Sequence, residues 1–261
     1  MTEATRRIVP RGDARIEVLA EGQGPAILLL PSLGRGAEDF EAVAPLVAAA
    51  GFRVLRPEPR GIGASLGPME GLTLYDLAED AAAALEGEAA PAIVAGHAFG
   101  NWVARALSVH RPDLVRAVVL LAASIGTAID PAIRASIEGS FNPASTEEER
   151  LHHLRRGYFA PGNDARVWLA GWHPPVARMQ RAATAATPDR RWERAAERVP
   201  VHYVAAEKDT IAPVPTEERL REALGPQVSM SLVRDAGHAL LPEQPVATAE
   251  AIIRFARSLR A

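Results

Sequence analysis

Short, wholly apolar runs that stop at glycine, proline or serine recur along this chain, each followed by a stretch with helical periodicity. Ala26-Ile-Leu-Leu-Leu30 is the first, and it ends in Pro31-Ser-Leu-Gly-Arg-Gly36. A strand with one wet face alternates polar and apolar residues, so an unbroken apolar run predicts a strand covered on both sides. Pro91–Ala95, Leu114–Ala123 and Pro200–Ala205 repeat the pattern, and Arg53–Leu55 and Val228–Arg234 are shorter or more mixed members of the set. Between them, Asp39–Ala50 reads as a helix stopped by Gly51. Leu74, Leu77, Ala78, Ala81 and Leu85 share one helical face behind Thr73 and Asp76, which suit a cap, with Gly87 closing the helix. Trp102–Val109 is an apolar helix, Thr216–Leu224 ends at Gly225, and Ile252, Phe255, Ala256 and Leu259 stripe the last helix. Arg7–Val9 and Arg15–Leu19, joined by the turn-like Pro10–Asp13, read as a paired edge ribbon. This alternation predicts an α/β protein with a doubly wound, mostly parallel sheet.

The rhythm breaks after the sixth strand. From Ile125 to about Arg198 no segment reads as a strand; short helical patterns are separated by Asn142-Pro, Ala160-Pro-Gly-Asn and Trp172-His-Pro-Pro. The expected division is a core of 1–124 and 199–261 with a helical lid over 125–198. A length of 261 residues suits one large domain carrying such a lid.

Composition removes several classes of function. With no cysteine, the chain has no disulfide framework, thiolate metal site or cysteine nucleophile. Lys208 is the single lysine among 29 basic residues, which reads as the coding bias of a GC-rich genome. A net charge of -3 without a dense basic tract argues against nucleic acid. The opening Met-Thr-Glu-Ala-Thr-Arg-Arg lacks the apolar core of a secretory signal, and apolar runs such as Ala117–Ala123 fall far short of the roughly 20 residues that span a bilayer. The expectation is a soluble, cytoplasmic protein, monomer or homodimer, that meets a small-molecule substrate, with no membrane and no nucleic acid as partner.

The informative motifs all follow strands, where open α/β sheets build their sites. Gly96-His97-Ala98-Phe99-Gly100 joins a buried strand to a helix, and its flanking glycines suit a sharp, strained elbow. Asp209 follows the strand Pro200–Ala205, and His238, in Asp235-Ala-Gly-His, follows Val228–Arg234. Elbow, acid and histidine, with the insertion between the first two, stand in the order of the α/β-hydrolase fold, and the chain resembles that family over nearly its full length. Pro31-Ser-Leu-Gly-Arg-Gly stands where relatives carry the oxyanion loop, and Arg56-Pro-Glu-Pro-Arg-Gly-Ile-Gly-Ala-Ser resembles their Pro-Asp-x-x-Gly-x-Gly-x-Ser stretch. The resemblance implies His238 as general base, Asp209 as the group that holds its tautomer, and the N–H groups of Leu33 and Phe99 as oxyanion donors.

One departure from the family stands out. The nucleophile position of the elbow, serine in Gly-x-Ser-x-Gly, is Ala98, and a methyl group cannot form an acyl-enzyme. Ala98 is either native or an inactivating replacement of serine. Gly-His-Ala-Phe-Gly-Asn with Leu-Pro-Ser-Leu-Gly-Arg resembles a bacterial subgroup of hydrolase relatives whose elbow carries alanine. Ser32 is then a possible displaced nucleophile, an orienting hydroxyl, or a serine that merely satisfies its own backbone.

The expected activity is hydrolysis of a small apolar ester, lactone or thioester. The alternatives are a cofactor-free lyase or oxygenase using His238 as base, and a non-catalytic pseudohydrolase that binds a small ligand or a partner. Trp168, Trp172 and His173 are the lid residues expected to line the substrate pocket, whereas His97 is expected to pack structurally. His152 and His153 follow Glu-Glu-Glu-Arg without zinc-like spacing, and neither Gly34-Arg-Gly nor Gly61-Ile-Gly has the full pattern of a phosphate loop. No metal and no cofactor are expected.

Overall fold

The computed structural model describes residues 4–89, 91–126 and 128–259. Eight strands form one sheet: β1 (Thr5–Arg11), β2 (Ala14–Glu21), β3 (Ala26–Leu30), β4 (Arg53–Pro57), β5 (Ala92–His97), β6 (Val115–Leu121), β7 (Val201–Ala206) and β8 (Val228–Val233). Their spatial order is β1-β2-β4-β3-β5-β6-β7-β8. β2 runs antiparallel to both β1 and β4, and every other pairing is parallel. The edge ribbon read from Arg7–Val9 and Arg15–Leu19 is thus present and longer at both ends.

Side chains alternate across a strand, so each apolar run supplies two cores. On one face Leu28, Leu30, Val94, Val118 and Leu120 pack against α2 (Leu74–Ala83) and α3 (Gly100–His110). On the other, Ile27, Leu29, Ile93, Val119 and Leu121 meet α1 (Ala44–Ala49) and, near the C-terminus, α9 (Pro245–Ser258). Between β6 and β7 lie α4 (Pro131–Ser140), α5 (Glu147–Gly157) and α6 (Pro174–Ala185), with two 3-10 turns and no strand among the described residues. The remaining helices are α7 (Glu217–Leu224) and the single turn α8 (Leu240–Glu243). Among the described residues no helix is long and apolar enough to cross a membrane.

Local chemistry sets the boundaries. Thr73 and Asp76 exchange the reciprocal bonds of a capping box at α2. The single helix expected over Asp39–Ala50 is two pieces, a 3-10 turn at Ala37–Phe40 and then α1, which begins at Ala44 with Pro45 in its first turn. Proline lacks the N–H that an uninterrupted helix needs and is well placed in a first turn. β6 stops at Leu121, short of the expected Ala123, because Ala122 turns to φ 47°. The C-terminal ends of β3, β5, β6, β7 and β8 lie on one edge of the sheet, and the loops leaving them carry Ser32, Ala98, Ser124, Asp209 and His238.

Candidate active site

The elbow is built from two close approaches and one strained residue. A Cβ on Gly96 would fall inside the main chain of Gly100, and one on Gly100 inside that of Leu30, so neither position accepts a side chain. Between them Ala98 is held at φ 46°, a region that costs an ordinary residue roughly 1–2 kcal/mol. Its N–H donates to Leu121 O at 3.0 Å, and its carbonyl accepts from both the backbone and the side-chain amide of Asn101. The turn geometry that projects a nucleophile is therefore kept, with a methyl group at its apex.

Asp209 and His238 come together from successive loops. His238 Nδ1 donates to Asp209 Oδ2 at 2.9 Å. Asp209 Oδ1 accepts from the N–H groups of Ile211 and Ala212, both at 2.8 Å, which fixes the carboxylate independently of the histidine. With its proton on Nδ1, a neutral His238 presents Nε2 as an acceptor. Nε2 has no hydrogen-bond partner among the described residues, and His238 lines a cavity of about 240 Å³. His238 is held from behind by His97, whose Nε2 donates to the His238 main-chain carbonyl at 2.7 Å. Burial pushes the His97 imidazole down to about 3, so it stays neutral in this packing role.

The loop after β3 borders the same cavity. Ser32 and Leu33 line it with Ala98 and Phe99. The Ser32 N–H is committed to Asp39 Oδ2 at 3.3 Å, while its hydroxyl makes no hydrogen bond to another described residue. The Gly34 N–H donates to Gln180 Oε1 and its carbonyl accepts from the His173 N–H, both at 2.7 Å, pinning the loop to α6. The N–H groups of Leu33 and Phe99 have no partner among the described residues, so both remain available to a ligand oxygen. Phe99 also precedes the first turn of α3, where the helix dipole favours negative charge.

The helices between β6 and β7 supply the opposite wall, with different residues from those expected. Tyr158 presents its ring edge-on to His238 at 5.7 Å between centroids, and Ile137, Glu138, Arg181 and Thr184 complete the far side. Trp168, Trp172 and His173 stand outside the lining. Trp168 is buried at 2% exposure, and both indoles face Arg35, whose guanidinium lies 4.5 and 4.8 Å from their ring centroids. Arg35 in turn pairs with the buried Asp39 and donates to Ala170 O at 2.9 Å. The aromatic cluster thus clamps the loop after β3 from outside, and His173 contributes its backbone amide. Arg35 lies inside the loop motif read from the sequence, between Gly34 and Gly36, and nothing in that motif marked its contact with the two indoles. Gly237 also lies against the segment between β6 and β7: a Cβ there would stand 2.5 Å from Tyr158 O. Among the described residues no group of three or more histidines and carboxylates is placed to hold a metal.

The strand order and the elbow define a protein of the α/β-hydrolase fold. Residues 27–251 match the alpha/beta hydrolase family, and the chain belongs to it. A putative non-heme bromoperoxidase, BpoC, of Mycobacterium tuberculosis (strain H37Rv) is 35% identical over 99 residues, 38% of this chain and 37% of that protein. A putative carbamate hydrolase, RutD, of Variovorax paradoxus (strain S110) is 32% identical over 107 residues, 40% of each chain. These matches therefore span about two fifths of the curated relatives. In three dimensions the crystal structure of BpoC from M. tuberculosis H37Rv superposes with a TM-score of 0.76 at 25% identity, covering 94% of this chain and 97% of that one. CarC, a serine hydrolase involved in carbazole degradation, gives 0.77 at 19% identity, covering 98% and 99%, a likeness of fold.

Proposed function

We propose that this chain hydrolyses a small, largely apolar carbonyl compound (an ester, lactone or thioester) with water activated directly by His238. The observation that carries the reading is the free Nε2 of His238 in a cavity whose elbow apex is a methyl group. In this reaction Nε2 takes a proton from water as the water oxygen bonds to the carbonyl carbon, and the carbonyl electrons move onto oxygen. The N–H groups of Leu33 and Phe99 receive that oxyanion, and Asp209 stabilises the imidazolium. Collapse expels the alcohol or thiol, which takes the proton back from Nε2. Ala98 leaves the space of a serine hydroxyl to the water, and Ser32 orients the substrate or the water. Helices of the 125–198 segment act as the lid, with Tyr158 and Ile137 giving the pocket its apolar wall.

The missing hydroxyl also favours a second reading, in which His238 removes a proton from a substrate carbon, as a lyase or cofactor-free oxygenase would require. Turnover of a panel of aryl esters, lactones and thioesters in ¹⁸O-labelled water separates the two. Hydrolysis places one solvent oxygen in the acid product, leaves no acyl adduct on the protein, and falls by about 10²-fold or more in His238→Ala. Absence of turnover across the panel, or a His238→Ala rate equal to the parent's, overturns the hydrolytic reading. Ligand binding without turnover would instead support a pseudohydrolase.

A further inference from the structure

Four arginines are buried among the described residues, and three of them meet a carboxylate: Arg35 with Asp39, Arg56 with Glu21 at 2.7 Å, and Arg60 with Asp80 at 2.6 Å. Arg105, at 3% exposure, has none. Its guanidinium stacks 4.7 Å from the ring centroid of Trp192, and its hydrogen bonds are two long ones to main-chain carbonyls, Glu193 O at 3.3 Å and Ser124 O at 3.5 Å. Its Nε and the Trp192 Nε1 are both buried donors without an acceptor. A charge taken out of water without a counter-ion is costly, and carbonyl dipoles offset only part of that cost. Burial accordingly pushes the Arg105 guanidinium down to about 10.

Arg105 lines a cavity of about 320 Å³ that is separate from the one holding His238. Trp102 and Ser124 line both, so the two cavities adjoin at these residues. The apolar part of the second cavity comes from Trp102, Trp192, Ile125 and Ala223. At its mouth Arg190 pairs with Glu193 at 3.2 Å and Arg219 with Glu222 at 3.3 Å, so the two carboxylates are already engaged and Arg105 is left over. We propose that this second cavity is an anion site that binds a carboxylate with an aromatic or apolar body, the carboxylate on Arg105 and the body against the wall of Trp102, Ile125 and Ala223, the indoles of Trp102 and Trp192 themselves lying in contact at 5.8 Å between centroids. The counter-ion missing from the protein is then supplied by the ligand, with a planar group that matches the guanidinium fork. The proposal is independent of the reading of Ala98, because it concerns binding and not turnover.

The test is calorimetric titration of the intact chain with benzoate and, at equal ionic strength, with the uncharged benzamide. Saturable binding of benzoate and none of benzamide is expected. Arg105→Met should weaken benzoate by roughly tenfold or more, the loss of one charge-assisted contact. Arg181→Gln, in the other cavity, should leave the affinity unchanged. If Arg105→Met fails to fold, the combined Arg190→Gln and Arg219→Gln variant decides the matter. Those side chains are 64% and 52% exposed, and their loss should weaken benzoate by roughly threefold with the fold intact. Equal binding of benzamide, no saturable binding of benzoate, or an affinity that depends on Arg181 and not on these arginines overturns the proposal.

Discussion

Arg35 sets its guanidinium 4.5 Å from the ring centroid of Trp168, so a residue of the loop after β3 is held by an indole from the segment between β6 and β7. Tyr158, Phe159 and Trp172 surround the same indole at 5.5 to 5.8 Å between centroids. Trp168→Ala should therefore act on stability first. Removing a buried indole costs about 3–5 kcal/mol, read as a lower urea midpoint. Since the ring stands outside the cavity lining, substrate KM should change less than stability does. A variant with parental stability and a strongly raised KM would put the indole in contact with substrate.

The elbow makes a second prediction. Ala98 already occupies the left-handed conformation at φ 46°, and Gly96 and Gly100 already permit the close approaches, so serine at position 98 needs no backbone change. Ala98→Ser should gain labelling by a fluorophosphonate probe, which the parent lacks, and should form an acyl adduct with p-nitrophenyl esters. The adduct mass on the peptide containing position 98 is the measurement. A folded Ala98→Ser chain that stays unlabelled would show that His238 Nε2 does not reach the elbow.

Both the parallel sheet and the elbow were legible in the sequence for the same reason: each depends on local composition. Ala26–Leu30 is apolar throughout because both faces are covered, and Gly96 and Gly100 are glycine because a Cβ has no room. The order of Ala98, Asp209 and His238 needed the family resemblance, since nothing local ties an acid to a histidine 29 residues later. The direction in which the aromatic residues point was not legible. Trp168, Trp172 and Tyr158 are alike in hydrophobicity, and only tertiary packing sends Tyr158 to His238 and the indoles to Arg35. Arg105 was equally silent, because a buried arginine at helical spacing looks like a solvated one.

His97 gives the chain an acid-sensitive element. The unfolded imidazole takes its proton near 6.5 and the buried one near 3, so between those values the unfolded state binds more protons and stability falls as pH is lowered. The stabilisation is complete above pH 6.5, and by linkage about 2 kcal/mol of it is lost on going from pH 7.5 to pH 5. His202, pushed down to about 4 by burial, contributes in the same direction. His97→Gln keeps a donor for the His238 carbonyl and does not titrate. Chemical denaturation at the two pH values should show the gap between parent and variant narrowing by about 2 kcal/mol at the lower pH. A gap independent of pH would mean that His97 titrates in the folded state as it does in the unfolded chain.

Ser32 distinguishes the two ways this site can work without a serine at the elbow. A serine hydroxyl attacks a carbonyl usefully only when a base takes its proton in the transition state, and reach comes before pKa in that requirement. Ser32 lines the cavity but its hydroxyl makes no hydrogen bond to His238, and its backbone is fixed by the N–H bond to Asp39. Neither Ser32 nor its neighbours adopt the left-handed turn that Ala98 does, apart from Gly34 at φ 65°. We propose the orienting role, in which Ser32→Ala costs one hydrogen bond, about 0.5–1.5 kcal/mol or up to roughly tenfold in kcat/KM. His238→Ala should be far more damaging than Ser32→Ala on the same substrate. If the two losses are equal and span several orders of magnitude, and an acyl adduct is found by mass spectrometry on the peptide containing Ser32, then Ser32 is the nucleophile and direct attack by water is the wrong mechanism.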